Sequence, residues 1–165
     1  MKYIENLETG GFNFIHRENP RDLPAEILKR YKNIPEDYLI FLKQFEQIIT
    51  DDDTTWFNSI EDFNGESENA FTWNDFELQS LEIYNDDENE SENVRKFWDN
   101  HLPIVLSVKG EYQYLAICLE NDRHGEIVYG LEPEFEEVTK VCDNFEQLMV
   151  LMRNPLSNET LKYFL

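Results

Sequence analysis

Acidic side chains are the chemistry this sequence offers in quantity. Of its 165 residues, 35 are Asp or Glu and 14 are Lys or Arg, for a net charge of −21. Neighbouring carboxylates move protons or hold cations. Two runs concentrate them: Asp51-Asp52-Asp53, and NDDENESEN over residues 85–93. Neither alternates its acids around a central glycine with a closing glutamate, as a calcium loop does. In so acidic a chain adjacency arises by chance, and solvated charge is the favoured reading of both. His16, His101 and His124 lack the paired spacing of a zinc site. Cys118 and Cys142 have no CxxC spacing and are expected to be buried free thiols. There is no GxSxG, and Ser107 falls inside a hydrophobic strand, where its hydroxyl is expected to bond to backbone. The 6 glycines are dispersed and build no phosphate cradle. The sequence therefore points to no catalytic centre, metal or cofactor, and a carboxylate-dependent hydrolase is the weakest functional reading.

The charge is uneven. Residues 1–50 carry 7 basic and 8 acidic side chains, and residues 51–165 carry 7 and 27. Such a surface repels phosphate backbones and anionic membranes. It attracts a basic protein and speeds the encounter, although acidity also serves plain solubility. Trp56, Trp73 and Trp98 are expected in the core. Alternatively, Trp56-Phe57, directly after three aspartates, would form the aromatic centre of an acid-rimmed interface. The candidate partner-binding residues are thus Asp51, Asp52, Asp53, Trp56, Phe57, Asp86, Asp87, Glu88 and Glu90. A homodimer is open. Dense negative charge directs any such contact to residues before Thr50 and away from the acidic run.

The elements that must position these residues centre on a hairpin. Ile104 to Val108 and Tyr112 to Leu119 are apolar runs around Lys109-Gly110-Glu111. The second run is apolar on both faces, Tyr112, Tyr114, Ala116 and Cys118 on one and Leu115, Ile117 and Leu119 on the other. This predicts a strand covered on both sides. Strands are expected over Thr54 to Phe57, Glu126 to Gly130 and Phe135 to Val141, with a short one at Phe12 to Phe14. Helices are expected from Pro24, from Pro35 to about Ile48, from about Glu92 to His101, and from Phe145 to Met152 behind an Asp143/Glu146 cap. Ile60 and Phe63 suit one helical turn. Ala70 to Tyr84 is ambiguous, residues 85–93 read as an exposed, mobile acidic insertion, and residues 156–165 as a short tail helix. The prediction is one α+β domain over residues 1–165, with a core of about 24–152. Its sheet is mainly antiparallel, of about four to six strands with flanking helices. No apolar run is long enough to span a membrane and MKYIENLETGG has no leader character, so a cytoplasmic protein is expected.

One further signal lies in the order of these segments. Ile34-Pro35-Glu36-Asp37-Tyr38-Leu39-Ile40-Phe41-Leu42 resembles the LPxDYxxFL helix that opens SUKH-superfamily domains. LPIVLSV, YLAICLE, GEIVYG and the helix starting DNFEQLM follow in that superfamily's order. In place of the usual glycine turn after the first helix stand Gln47-Ile48-Ile49-Thr50. The resemblance implies a SUKH-like α+β fold and no shared catalytic residues. It also implies a role as a bacterial immunity protein that neutralises a cognate toxin, often a nuclease. The alternative is a regulatory adaptor of the kind that controls fungal cell-wall synthesis.

Overall fold

The computed structural model describes residues 3–164. Seven strands form one sheet in the order β1 (Phe12–His16), β2 (Phe45–Thr50), β3 (Thr55–Phe57), β4 (His101–Ser107), β5 (Gln113–Cys118), β6 (Ile127–Leu131) and β7 (Thr139–Cys142). Every neighbouring pair is antiparallel and consecutive in the chain, so the sheet is a meander. Among the described residues seven α-helices flank it: α1 (Ile4–Thr9), α2 (Ala25–Arg30), α3 (Glu36–Leu42), α4 (Ile60–Phe63), α5 (Asp75–Ile83), α6 (Glu88–Asp99) and α7 (Phe145–Leu151). The class is α+β as expected, with seven strands in place of four to six.

The predicted hairpin is the middle of the sheet. Leu106 stands opposite Tyr114 and Val105 opposite Leu115. Every residue of β4 and β5 is buried. The two faces of β5 serve separate cores. Leu115 and Ile117 join Phe57, Ile104 and Ile127 under α1, α2, α3, α4, α7 and the C-terminal turns. Tyr114, Ala116 and Cys118 join Trp56, Leu106 and Val128 under Phe76 of α5, Val94 and Trp98 of α6, and Phe135. Each large apolar side chain so buried contributes roughly 2 kcal/mol. Face A and face B denote these two sides below.

Two glycines mark close approaches. A Cβ on Gly10 would lie 2.0 Å from the Met152 carbonyl oxygen, so α1 and the end of α7 touch backbone to backbone. A Cβ on Gly130 would lie 2.5 Å from the Tyr114 ring, which crosses β6 so that its hydroxyl donates to the Phe135 carbonyl.

Several expectations need correction. The helix from Pro35 ends at Leu42, and Phe45 and Ile48 belong to β2. Ile15 pairs with Gln47 but His16 with Phe45, so Glu46 is a bulge residue. The extra residue turns Phe45 and Ile48 onto one face at a spacing that mimics a helix. The acidic run 85–93 is no loop throughout: α6 starts at Glu88, with Asp87 as its N-cap accepting from the Glu90 amide at 3.1 Å. Its carboxylates complement the positive end of the helix. The ambiguous stretch holds α5, and α1 went unread. The last helix is capped by Asn144, which accepts from the Gln147 amide, one residue later than expected. β7 starts at Thr139, and Phe135 fills face B instead. The tail forms two 3-10 turns, Pro155–Ser157 and Leu161–Tyr163, with Leu161 and Phe164 buried on face A. Met1, Lys2 and Leu165 lie outside the described residues.

Candidate partner-binding surface

Two acidic depressions flank the sheet. The first, about 620 Å³, opens beside β1, β2 and β3. Ile15, Gln47 and Ile49 line it along with Glu46, Asp53, Glu61, Asp62, Glu66 and Glu68. Asp62 builds its rim. Its buried carboxylate accepts from the Ser59 amide at 2.7 Å and the Ser59 hydroxyl at 2.9 Å, which caps α4. It also accepts from Ser67 at 2.5 Å and Asn69 at 2.7 Å, which folds residues 64–70 back over the opening. Four donors occupy its two oxygens, so this carboxylate holds the α4 cap and the following loop in place.

Arginines from the first third of the chain hold two lining acids of that depression, Glu61 and Glu66. Arg17, whose side chain is 3% exposed, grips Glu61 through both terminal nitrogens at 2.8 and 2.7 Å and donates to the Phe45 carbonyl at 2.9 Å. Arg21 bridges Glu61 and Glu66. Burial alone would raise the Glu61 carboxyl. The Arg17 hydrogen bonds, with Arg21 behind them, outweigh it and bring the pKa down to about 2. Glu46, Asp53 and Glu68 have no ion-pair partner among the described residues.

The second depression, about 340 Å³, lies between the α5–α6 pair and residues 132–137. Ser80, Ile83, Tyr84, Val94 and Pro133 line it with Glu90, Glu134, Glu136 and Glu137. Ile83 is 69% exposed. Glu136 accepts from the Trp98 indole N–H at 2.7 Å, which ties the 132–137 segment to α6. Behind the helix pair, Arg30 of α2 donates twice to the buried Glu77 of α5, at 2.9 and 2.7 Å, and once to Asp99 at 2.8 Å. The cations of the first third are therefore not a separate neutral patch. Arg17, Arg21 and Arg30 neutralise acids of the later chain, and Lys109, Arg123, Lys140 and Lys162 pair with Asp52, Glu126, Asp143 and Glu159.

The residues expected to contact a partner do not form one cluster. Asp53 lines the first depression and Glu90 the second. Asp51 accepts from the Asn13 side chain. Asp52 accepts from the Thr54 and Thr50 hydroxyls, which hold its carboxyl well below the usual range, with Lys109 adding to the effect. Asp51 and Asp52 thus shape the β2–β3 turn while staying exposed. Asp86, Asp87 and Glu88 are exposed at the start of α6. Trp56 and Phe57 are 1% and 3% exposed and belong to faces B and A, so as the structure stands they hold the sheet and present no ring to a partner. Sequence reasoning missed Glu46, Glu68, Glu134 and Glu137. Only the fold gathers them, since no spacing relates residues from β2, the loop after α4 and the β6–β7 connection.

The remaining reactive residue types are placed as structural groups. His101 is buried at the start of β4, its Nδ1 2.8 Å from the Phe97 carbonyl, with its ring stacked on Phe97. His124 Nε2 lies 2.7 Å from the Asn33 carbonyl. The Ser107 hydroxyl meets that of Thr55 at 2.7 Å and accepts from the Lys109 amide. Cys118 and Cys142 are buried and unpaired with each other; burial pushes the Cys142 thiol up to about 11. Among the described residues no group of three or more His, Cys, Asp or Glu is placed to hold a metal ion. No helix among them is long and apolar enough to cross a membrane.

No curated protein matches the chain, and no solved structure does. Against known families, residues 24–150 match the SMI1 / KNR4 family (SUKH-1). That span runs from the entry of α2 to the last turn of α7 and takes in all strands but β1. With well over half of its length matched, the chain belongs to the SMI1 / KNR4 family, SUKH-1.

Proposed function

We propose that this chain is a non-enzymatic immunity protein that binds a basic toxin domain, a nuclease, and occludes it. The family fits immunity or regulatory roles. The observation that carries the narrower reading is the distribution of ion pairs. Arg17, Arg21 and Arg30 are engaged by Glu61, Glu66, Glu77 and Asp99. Glu82, Asp86, Asp87, Glu88, Glu90, Glu92, Glu134 and Glu137 pair with no cation among the described residues. A nuclease holds phosphates with Lys and Arg, and its binding surface complements such a field. Complementarity of this kind sets on-rate and specificity more than affinity. Asp51, Asp52, Asp53, Asp86, Asp87, Glu88 and Glu90 are the proposed contact acids, and the compartment is the cytoplasm, where such a toxin acts.

The test is co-expression with any toxin domain found encoded next to this chain, read as cell survival, followed by binding measured across a salt series. Protection, with affinity falling as salt rises, supports the reading. No protection, or binding indifferent to salt, overturns it. Binding to a host protein without protection assigns the chain to the regulatory branch.

A further inference from the structure

The two outer strands of the sheet differ. β7 carries Lys140, bonded to Glu126 at 2.7 Å and Asp143 at 2.6 Å. A charged lysine is a usual guard on a sheet edge. β1 has no charged residue in Phe12–His16, and among the described residues it pairs only with β2. Ile15 is 53% exposed on it. Ile15 also forms the lip of the first depression, whose Glu46, Asp53 and Glu68 have no direct ion-pair partner among the described residues. An open, uncharged edge thus stands beside an anionic trough on the same side as Ile15.

We propose that β1 accepts an extended segment of a protein partner as an eighth strand, with alternate residues of that segment basic. Main-chain hydrogen bonds to the free edge would supply affinity, and alternate side chains would supply specificity. Residues on the Ile15 side reach the trough, so they are Lys or Arg. Residues on the other side meet Phe14 and His16, so they are apolar. A second copy of this chain does not fit: β1 offers Asn13 and Ile15 to the trough, no cation, and two chains of −21 repel. The proposal rests on the reading that the partner is a basic protein and narrows it to one strand-forming segment.

The experiment is hydrogen exchange on the full chain, resolved by residue, with two synthetic peptides of equal composition. One alternates Lys and Val; the other places the lysines in one block and the valines in another. The alternating peptide is expected to slow the outward amides of β1 at least about tenfold, and the block peptide to leave them unchanged. Ile15→Lys, which sets a like charge at the lip of an exposed position, is expected to weaken the alternating peptide about tenfold. Asp122→Lys, at an exposed residue that lines neither depression, serves as control. Equal protection by both peptides, protection by neither, or protection confined to Asp86 to Glu90 overturns the proposal. A dimer whose β1 amides are protected before peptide is added overturns it in favour of self-pairing. If the cell survival assay fails while β1 protection holds, the immunity reading falls and the docking edge stands.

Discussion

Face A and face B cover the same sheet by different means. Face A is closed by both ends of the chain, with α1, α2 and α3 from one side and α7 and the tail turns from the other. The tail is tied down by polar contacts as well: Thr55 Oγ1 donates to the Phe164 carbonyl at 2.7 Å, and Gln113 Nε2 to the Tyr163 carbonyl at 2.9 Å. Face B is closed mainly by one excursion, the α5–α6 pair, and by Phe135 stacked on Phe76 at 4.6 Å. Its polar fastenings include Trp98 to Glu136, Arg30 to Glu77 and Asp99, and Tyr114 to the Phe135 carbonyl. The uncompensated carboxylates cluster there too. Face A therefore resembles a sealed core, whereas face B resembles a lid with a charged exterior, and lids open at lower free energy than the globule unfolds.

The largest break in this comparison comes from Gly10→Ala. Its Cβ meets the Met152 carbonyl, a backbone atom that has no rotamer to yield. A loss of about 4 kcal/mol is expected, seen as a single cooperative drop in Tm. Face B loosening alone in this variant would mean that the seam of α1 and α7 does not hold the globule. Arg30→Ala comes next. It leaves the buried Glu77 without its fork and should cost about 3 kcal/mol. Native-state exchange should rise in α5 and α6 more than in α3 and α7; uniform rises would erase the distinction between core and lid. Trp98→Phe removes the indole N–H from Glu136 and some ring volume, at about 1.5 kcal/mol. Its signature is faster exchange in α6 with face A unchanged.

Acid should act on both regions in a predictable direction. The Glu61 pKa is depressed in the folded chain, so its contribution is complete above its unfolded value near 4.5 and is lost as pH falls towards 2. Its partial exposure keeps this on the order of 1 kcal/mol. Burial lowers the pKa of His101, so its penalty begins when the unfolded chain takes up a proton below about 6.5. Denaturant titrations between neutral pH and pH 2 should show stability falling monotonically, with the Arg17→Met variant losing the lower step. The smallest effect is kinetic. Thiol reagent should modify Cys118 and Cys142 slowly in the native chain, because both are buried and burial raises both pKa values. Cys118 lies under the lid and Cys142 on face A, so faster labelling of Cys118 in Trp98→Phe would sharpen the contrast.

The sequence conveyed the parts of the fold in which one side chain has one job. β4 and β5 were legible because a strand apolar on both faces has a single environment. Alternation in β5 implied cover on both sides, and the two cores supply it. β2 was not, because a bulge at Glu46 makes strand spacing imitate helix spacing. α5 was not, because its polarity is inverted. Glu77 and Ser80 face inward while Leu78 and Ile83 face water. What satisfies Glu77 is Arg30, far away in the chain. The same long range hid the depressions. Counting charges by segment implied a neutral first third, but Arg17 and Arg21 sit across from Glu61 and Glu66 only once the sheet has formed.

The meander has one more implication. β3 and β4 are neighbours in the sheet, yet residues 58–100 leave and return between them. The ends of that detour are fixed side by side, with the Asn58 amide donating to the Ile104 carbonyl at 2.9 Å. The entropy of closing such a span grows only slowly with its length. The strands on either side thus act as a socket, and a foreign cassette grafted there should leave the platform standing if its underside is greasy enough to shelter Trp56, Leu106 and Tyr114 from water and it replaces Ile60 and Phe63 on face A.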